Sequence, residues 1–96
     1  MDYVVYKITF PNGKIYVGKD IGGQGHSLRY FGSWSNKLVA QDFSTEQLKD
    51  FTLRKTILFE SKDKDEVSRK EVFYIDALKS NDPSIGYNRT YQKPSF

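Results

Sequence analysis

Cysteine is absent from this chain of 96 residues. That excludes a disulfide framework and any thiolate metal site, and makes a reducing compartment the expected home. A single histidine cannot build a histidine-rich zinc site. No apolar run approaches the roughly 20 residues that a spanning helix needs. The first residues also lack the charged-then-apolar order of a secretory leader, so a soluble, cytoplasmic protein without membrane contact is expected. Internal repeats, low-complexity tracts and solid runs of one charge are missing too, and nothing suggests a linker before the last few residues. The glycines of Gly22-Gly23-Gln24-Gly25 mark a loop, but the Gly-Lys-Ser/Thr ending of a Walker phosphate loop is not there. This length has room for one modest core. We expect one domain over residues 1–90 and a short tail over 91–96.

What is present is positive charge interleaved with aromatics. Lys and Arg number 15 against 12 Asp and Glu, for a net charge of +3, alongside seven Tyr, seven Phe and one Trp. Such a balance is compatible with nucleic acid without demanding it. Near the front, Tyr3-Val-Val-Tyr6 and Lys14-Ile-Tyr16-Val-Gly18 read as two strands joined by Pro11-Asn12-Gly13. Proline suits the first corner of a type I turn and glycine the left-handed residue after it, which gives a three-residue hairpin loop with a bulge. In that register Phe10 faces Lys14, Ile8 faces Tyr16 and Tyr6 faces Gly18. Both tyrosines then leave one face as diagonal neighbours, with open space at Gly18. A two-residue Asn12-Gly13 turn is the alternative, and it would send them to opposite faces.

Further on, a short helix is expected from Ser33 or Ser35 to about Gln41. Ser44-Thr-Glu-Gln47 is a capping signal for a second one ending near Asp50. Phe51 to Phe59 is rich in β-branched and aromatic residues and reads as a third strand whose imperfect alternation suits cover on both faces. Asp63 offers an N-cap to a helix running to about Lys79, ahead of Asn81-Asp82-Pro83. The order is β-β-α-α-β-α, an α+β fold. On the last helix Val67, Glu71, Ile75 and Leu78 share one stripe, so a carboxylate sits on an apolar face. Glu71 either pairs with a strand Lys or Arg or serves as a metal or catalytic group. In Ile85-Gly86-Tyr87-Asn88, Gly86 permits a sharp turn and the Asn88 side chain can bridge backbone groups or a ligand.

These residues resemble the GIY-YIG nuclease superfamily across most of the chain. The first motif stands as Val4-Val5-Tyr6, with Val4 where glycine is common, and the second as Tyr16-Val17-Gly18. The helix motif is Lys70-Glu71-Val72-Phe73-Tyr74-Ile75, and the closing one Gly86-Tyr87-Asn88. The resemblance implies a DNA-cleaving module with a small three-stranded antiparallel sheet flanked by helices and a single Mg²⁺ or Mn²⁺ held by Glu71. It further implies Tyr16 as the base that takes a proton from the attacking water and Tyr6 as its hydrogen-bonding partner. Free tyrosine titrates near 10, so Lys19, Arg29 or the metal would have to supply positive charge. Lys19 matches a lysine of the excision-repair branch, although alternation from Tyr16 puts it on the opposite face. Arg29 is the candidate for the arginine that neutralises the phosphate, displaced by a few residues from its usual helix; a solvated loop charge is the alternative. Tyr30-Phe31-Gly32-Ser33 resembles a phage or mobile-element branch in which that arginine is often absent.

Asn88 completes the implied catalytic set, and Lys19, His26, Arg29 and Tyr30 are the expected nucleic-acid contacts. DNA is the implied partner. Specificity would come from a homodimer or a separate protein, since members of the superfamily usually borrow it from an appended domain. The competing reading is a non-catalytic nucleic-acid binding module in which Tyr30, Phe31 and Trp34 stack on bases. A protein-interaction domain has only its aromatics in favour.

Overall fold

In the computed structural model, residues 3–21 and 36–88 are described, with backbone alone for 36–38. The fold is α+β: strands β1 (Tyr3–Thr9), β2 (Ile15–Asp20) and β3 (Arg54–Ser61), and helices α1 (Asn36–Asp42), α2 (Thr45–Leu48) and α3 (Lys64–Leu78). They follow the expected β-β-α-α-β-α order. The three strands pair antiparallel and β1 is central, giving the order β2-β1-β3. Among the described residues no helix is long and apolar enough to cross a membrane.

The hairpin forms in the three-residue register, with Tyr6 opposite Gly18 and Ile8 opposite Tyr16. Phe10 N–H donates to the Lys14 carbonyl at 2.9 Å, and Gly13, at φ +87°, closes the turn. Asn12 adds an acceptor for Lys14 N–H at 3.0 Å, which favours this loop over a two-residue one.

Strand alternation splits the core in two. Val4, Tyr6, Ile8 and Phe10 face Val39 of α1, Phe43 and Tyr87, with Tyr16, Phe51 and Leu53 at the margin. Val5 and Val17 face Val67 and Ile75 of α3. Covering both faces of a three-stranded sheet lets a chain this short bury two sets of side chains instead of one.

β3 differs from its expected bounds at both ends. Phe51 and Leu53 leave the ladder because their side chains belong to the first cluster, where the Phe51 ring meets Phe43 edge-on at 5.0 Å and Phe10 at 6.1 Å. At the other end the strand continues to Ser61, which pairs with Tyr3. The broken alternation has a specific cause. The register shifts between Val5, opposite Phe59, and Tyr6, opposite Ile57, so Leu58 is an extra residue in a β-bulge.

Caps explain the helix ends. Ser44 and Gln47 form the reciprocal capping box of α2, at 3.2 Å and 2.7 Å. Asp63 caps α3 by accepting from Asp65 N–H at 2.9 Å. α3 ends before Pro83 becomes relevant: Lys79 takes the left-handed conformation, φ 57° and ψ 34°, and Ser80 N–H returns to the Ile75 carbonyl at 3.2 Å. A non-glycine residue is disfavoured there by about 1 kcal/mol. Lys79→Gly is therefore expected to raise stability by about that amount, read as a higher urea midpoint.

Candidate active site

Gly18 joins the two tyrosines. A Cβ built on it would lie 2.5 Å from the Tyr6 hydroxyl oxygen and 3.0 Å from Cε2 of Tyr16. The space left by the missing side chain therefore receives the tip of one phenol and the edge of the other ring. Tyr6 is buried at 1 % exposure and Tyr16 is half-buried. One further group joins this face that no motif marks. Lys55 of β3 sets its ammonium 4.7 Å from the Tyr6 ring centroid, within cation–π range. Burial holds that ammonium below its ordinary value, and the Asp20 carboxylate pulls it back up.

The α3 face carries the second half of the site. Val67 and Ile75 pack into the sheet one turn either side of Glu71, which keeps Glu71 half-buried on the same stripe. Burial pushes its carboxyl above the ordinary value, with the positive charge of Lys19 acting the other way. Lys19 does not close onto it as a contact pair. Its ammonium instead donates to Ser68 Oγ at 2.8 Å, one turn before Glu71. Among the described residues no hydrogen bond or contact ion pair reaches the Glu71 carboxylate.

The described residues include no cluster of three or more His, Asp or Glu, so an all-protein metal cage is not available from them. A single carboxylate with unengaged oxygens does fit a small divalent cation that keeps most of its water shell and shares the rest with a phosphate. Glu71 is the residue that would hold it.

Asn88 links the halves through the backbone. Its side-chain oxygen accepts from Val17 N–H at 2.7 Å and its nitrogen donates to the Val17 carbonyl at 2.6 Å. The carboxamide thus occupies both polar groups of a β2 residue that lies between Tyr16 and Gly18. Residues 85–87 run beside the same edge: Ile15 N–H donates to the Ile85 carbonyl at 3.1 Å, and Tyr87 N–H to the Ile15 carbonyl at 2.9 Å. Here Asn88 bridges backbone groups and fixes β2; it does not face open solvent, being 5 % exposed.

A polar latch holds that segment down. Tyr87 donates to Asp42 at 2.6 Å, Lys14 pairs with the same carboxylate oxygen at 2.8 Å, and Asn12 donates to the Tyr87 hydroxyl at 3.0 Å. A pocket of about 220 Å³ opens beside it, lined by Lys14, Gln41, Asp42, Asn81, Pro83, Gly86 and Tyr87. The hydrogen bond from Lys14, and then the one from Tyr87, hold the Asp42 carboxyl below its ordinary value. Burial, and then the bond to Asp42, push the Tyr87 phenol up to about 12. A raised phenol contributes stability that is complete below its ordinary value of 10.0 and lost as pH rises through about 12. The depressed Asp42 contributes above the ordinary carboxylate value and loses that contribution as pH falls through its folded value. Urea unfolding should therefore show the wild type weakening between about pH 10 and about pH 12 more steeply than Tyr87→Phe. At neutral pH the variant should already lack about 1–2 kcal/mol.

The structure therefore brings together Tyr6 with Tyr16, and Lys19 with Glu71, on opposite faces of the sheet. β2 is an edge strand, and the described residues pair its outer side only at Ile15 and Val17. The rest of the strand, Gly18 to Asp20, carries Gly18 of the tyrosine face and Lys19 of the α3 face. Arg29, His26 and Tyr30 lie outside the described residues, as do Phe31, Trp34 and the tail 91–96. Lys55 and Ser68 are the additions. Ser68 could have been found by counting one turn back from Glu71, whereas Lys55 depends on the bulge. Compared with known proteins, the chain matches no family model, no curated protein and no solved structure.

Proposed function

We propose that this chain is a divalent-metal-dependent DNA endonuclease that hydrolyses phosphodiester bonds by tyrosine-assisted attack of water, nicking one strand per encounter. The observation that carries this reading is Glu71. A carboxylate held half-buried on an apolar stripe, without a hydrogen bond and beside a lysine committed to a serine, opposes stability unless something else uses it. Its coexistence with a tyrosine pair around Gly18 agrees with the resemblance to the GIY-YIG nucleases.

In this chemistry water oxygen bonds to phosphorus, the bond to the leaving oxygen breaks, and the water proton passes to the Tyr16 phenolate. Tyr6 fixes the Tyr16 ring across Gly18. Lys19 contributes positive charge on the far side of β2, and Asn88 keeps that strand in place. A divalent cation at Glu71 supplies, when bound, polarisation of the phosphate and stabilisation of the leaving oxygen.

A second reading rests on the outer face of α3. Lys70 lies 5.4 Å from the Phe59 ring centroid and 5.2 Å from that of Phe73, which is 54 % exposed. A cation beside an exposed ring suits single-stranded nucleic acid, so a binding module without catalysis is the competitor.

The two separate on incubation of supercoiled and branched DNA with the purified protein in Mg²⁺, Mn²⁺ or EDTA. Endonuclease activity is expected as nicking in either metal and none in EDTA, with Tyr16→Phe slower by roughly 10²–10⁴. Tight DNA binding with no cutting in either metal would select the binding module.

A further inference from the structure

We infer that Lys55 is a positioning residue for the tyrosine pair: its ammonium, seated over the Tyr6 ring, holds that phenol at Gly18 and favours its deprotonation. The inference deepens the endonuclease reading and takes its functional meaning from it.

The β-bulge is the main reason. If β3 kept the register of Val5 with Phe59, Tyr6 would face Leu58, Ile8 would face Thr56, and Lys55 would pair with Thr9. Thr9 lies on the α3 side by alternation from Val5, so Lys55 would point away from the tyrosines. The extra residue at Leu58 instead pairs Ile8 with Lys55 and Tyr6 with Ile57. It turns the lysine onto the tyrosine face as the diagonal neighbour of Tyr6, and bulges commonly re-aim a side chain in this way beside active sites.

The resulting contact is specific. The Lys55 ammonium is 4.7 Å from the Tyr6 ring centroid in a half-buried setting, where a cation–π contact is stronger than in open solvent. The same Tyr6 hydroxyl lies where a Gly18 side chain would be, a space the edge of the Tyr16 ring also borders. A row therefore runs from β3 through β1 to β2: cation, phenol, phenol. Positive charge over the first ring makes its hydroxyl a stronger hydrogen-bond donor, which is the property a partner of the base requires. Among the described residues, the other ionisable strand groups on this face are Glu60 of β3, opposite Val4, and Tyr16 and Asp20 of β2. Tyr87 joins from the C-terminal segment, tied to Asp42 at the end of α1 and so to Lys14. Among the described residues of this face, Lys55 is the cation in contact with the Tyr6 ring.

The test compares Lys55→Met, which keeps length and loses charge, with Lys55→Arg, which restores a cation able to stack on the ring. Tyrosines labelled at ¹³Cζ are titrated by NMR in DNA-free, metal-free protein, with Tyr6→Phe assigning the resonance. Formation of the Tyr6 phenolate should move to higher pH in Lys55→Met and return toward wild type in Lys55→Arg. Nicking at neutral pH should fall about tenfold in the first through kcat and recover in the second. Lys55→Gln replaces Lys55→Met if that variant does not fold. A Tyr6 resonance that titrates alike in all three proteins, or stays protonated in wild type up to alkaline unfolding, overturns the inference. Absence of nicking in wild type would remove the endonuclease reading, while the NMR titration would still decide the role of Lys55.

Discussion

Glu71→Gln is expected to abolish metal-dependent nicking and, at pH 8, to melt at a higher temperature than the wild type. Loss of the carboxylate proposed to hold the metal should lower the rate by roughly 10³ or more, the order seen when a single electrostatic stabiliser of a transition state is removed. The gain in stability follows from the direction in which burial moves the Glu71 carboxyl. Its value is raised above the ordinary 4.5 in the folded chain. A raised carboxyl favours folding below the unfolded value and loses that contribution as pH rises through the folded one. Once pH has risen past the folded value the side chain is ionised in both states, and the full burden of a half-buried charge falls on the folded protein. Glutamine keeps the shape without the charge. The advantage of the variant should shrink as pH falls and be gone near pH 4. Thermal melts of metal-free protein at the two pH values check this directly. A variant less stable than wild type at pH 8 would instead mark Glu71 as the structural partner of Lys19. Mg²⁺ provides a second discrimination, since it should raise the melting temperature of the wild type and leave that of Glu71→Gln unchanged.

Gly86→Ala should be the most disruptive single methyl group in the described chain. The new Cβ would lie 2.5 Å from the Ile15 carbonyl oxygen, 2.5 Å from that of Ser80 and 2.7 Å from the Ser80 Cα. All three obstacles are backbone, so no rotamer change relieves them. The segment must move off β2, which pulls Asn88 away from Val17 and strands a buried N–H and carbonyl without partners. A loss of about 3 kcal/mol or more is expected, lowering the urea midpoint by about 2 M. Gly18→Ala is the instructive comparison. Its new Cβ meets the side chains of Tyr6 and Tyr16, which can shift. It should therefore lose less stability than Gly86→Ala while disturbing the tyrosine pair more. Equal destabilisation by the two would mean that Gly86 is not pinned by backbone.

Much of this arrangement is legible in the chain before any coordinates. Pro11-Asn12-Gly13 specifies its hairpin because each corner of the turn demands a different backbone region, and the register of Tyr6 with Gly18 follows. Spacing alone puts Glu71 between Val67 and Ile75. The features that escape are those set by distant partners. Phe51 and Leu53 have strand-forming side chains, yet Phe10 and Phe43 draw them into the core beside the ladder. Leu58 carries no mark of a bulge, because an apolar side chain that packs beside Phe59 on the α3 side looks the same in a regular strand, and so Lys55 passes for an ordinary strand lysine. Lys79 adopts a conformation that glycine or asparagine would advertise. Asn88 announces a polar role, but its attachment to Val17 joins positions 71 apart in the chain.

The Asn88 clamp has a consequence for how copies of this chain meet. A small sheet ordered β2-β1-β3 has two borders that could each recruit a strand from a neighbour. On the β2 side, Ile85, Tyr87 and the Asn88 carboxamide already take the outward N–H and carbonyl groups of Ile15 and Val17. A side chain does there what a fourth strand would do, without offering a new row of donors and acceptors beyond it. The other border is β3, and it exposes Ile57 between the charged Arg54 and Glu60. Strand-to-strand growth into fibres needs both borders of each unit. Covering Ile15 and Val17 obstructs recruitment along that part of the β2 border, which disfavours open-ended growth from copy to copy.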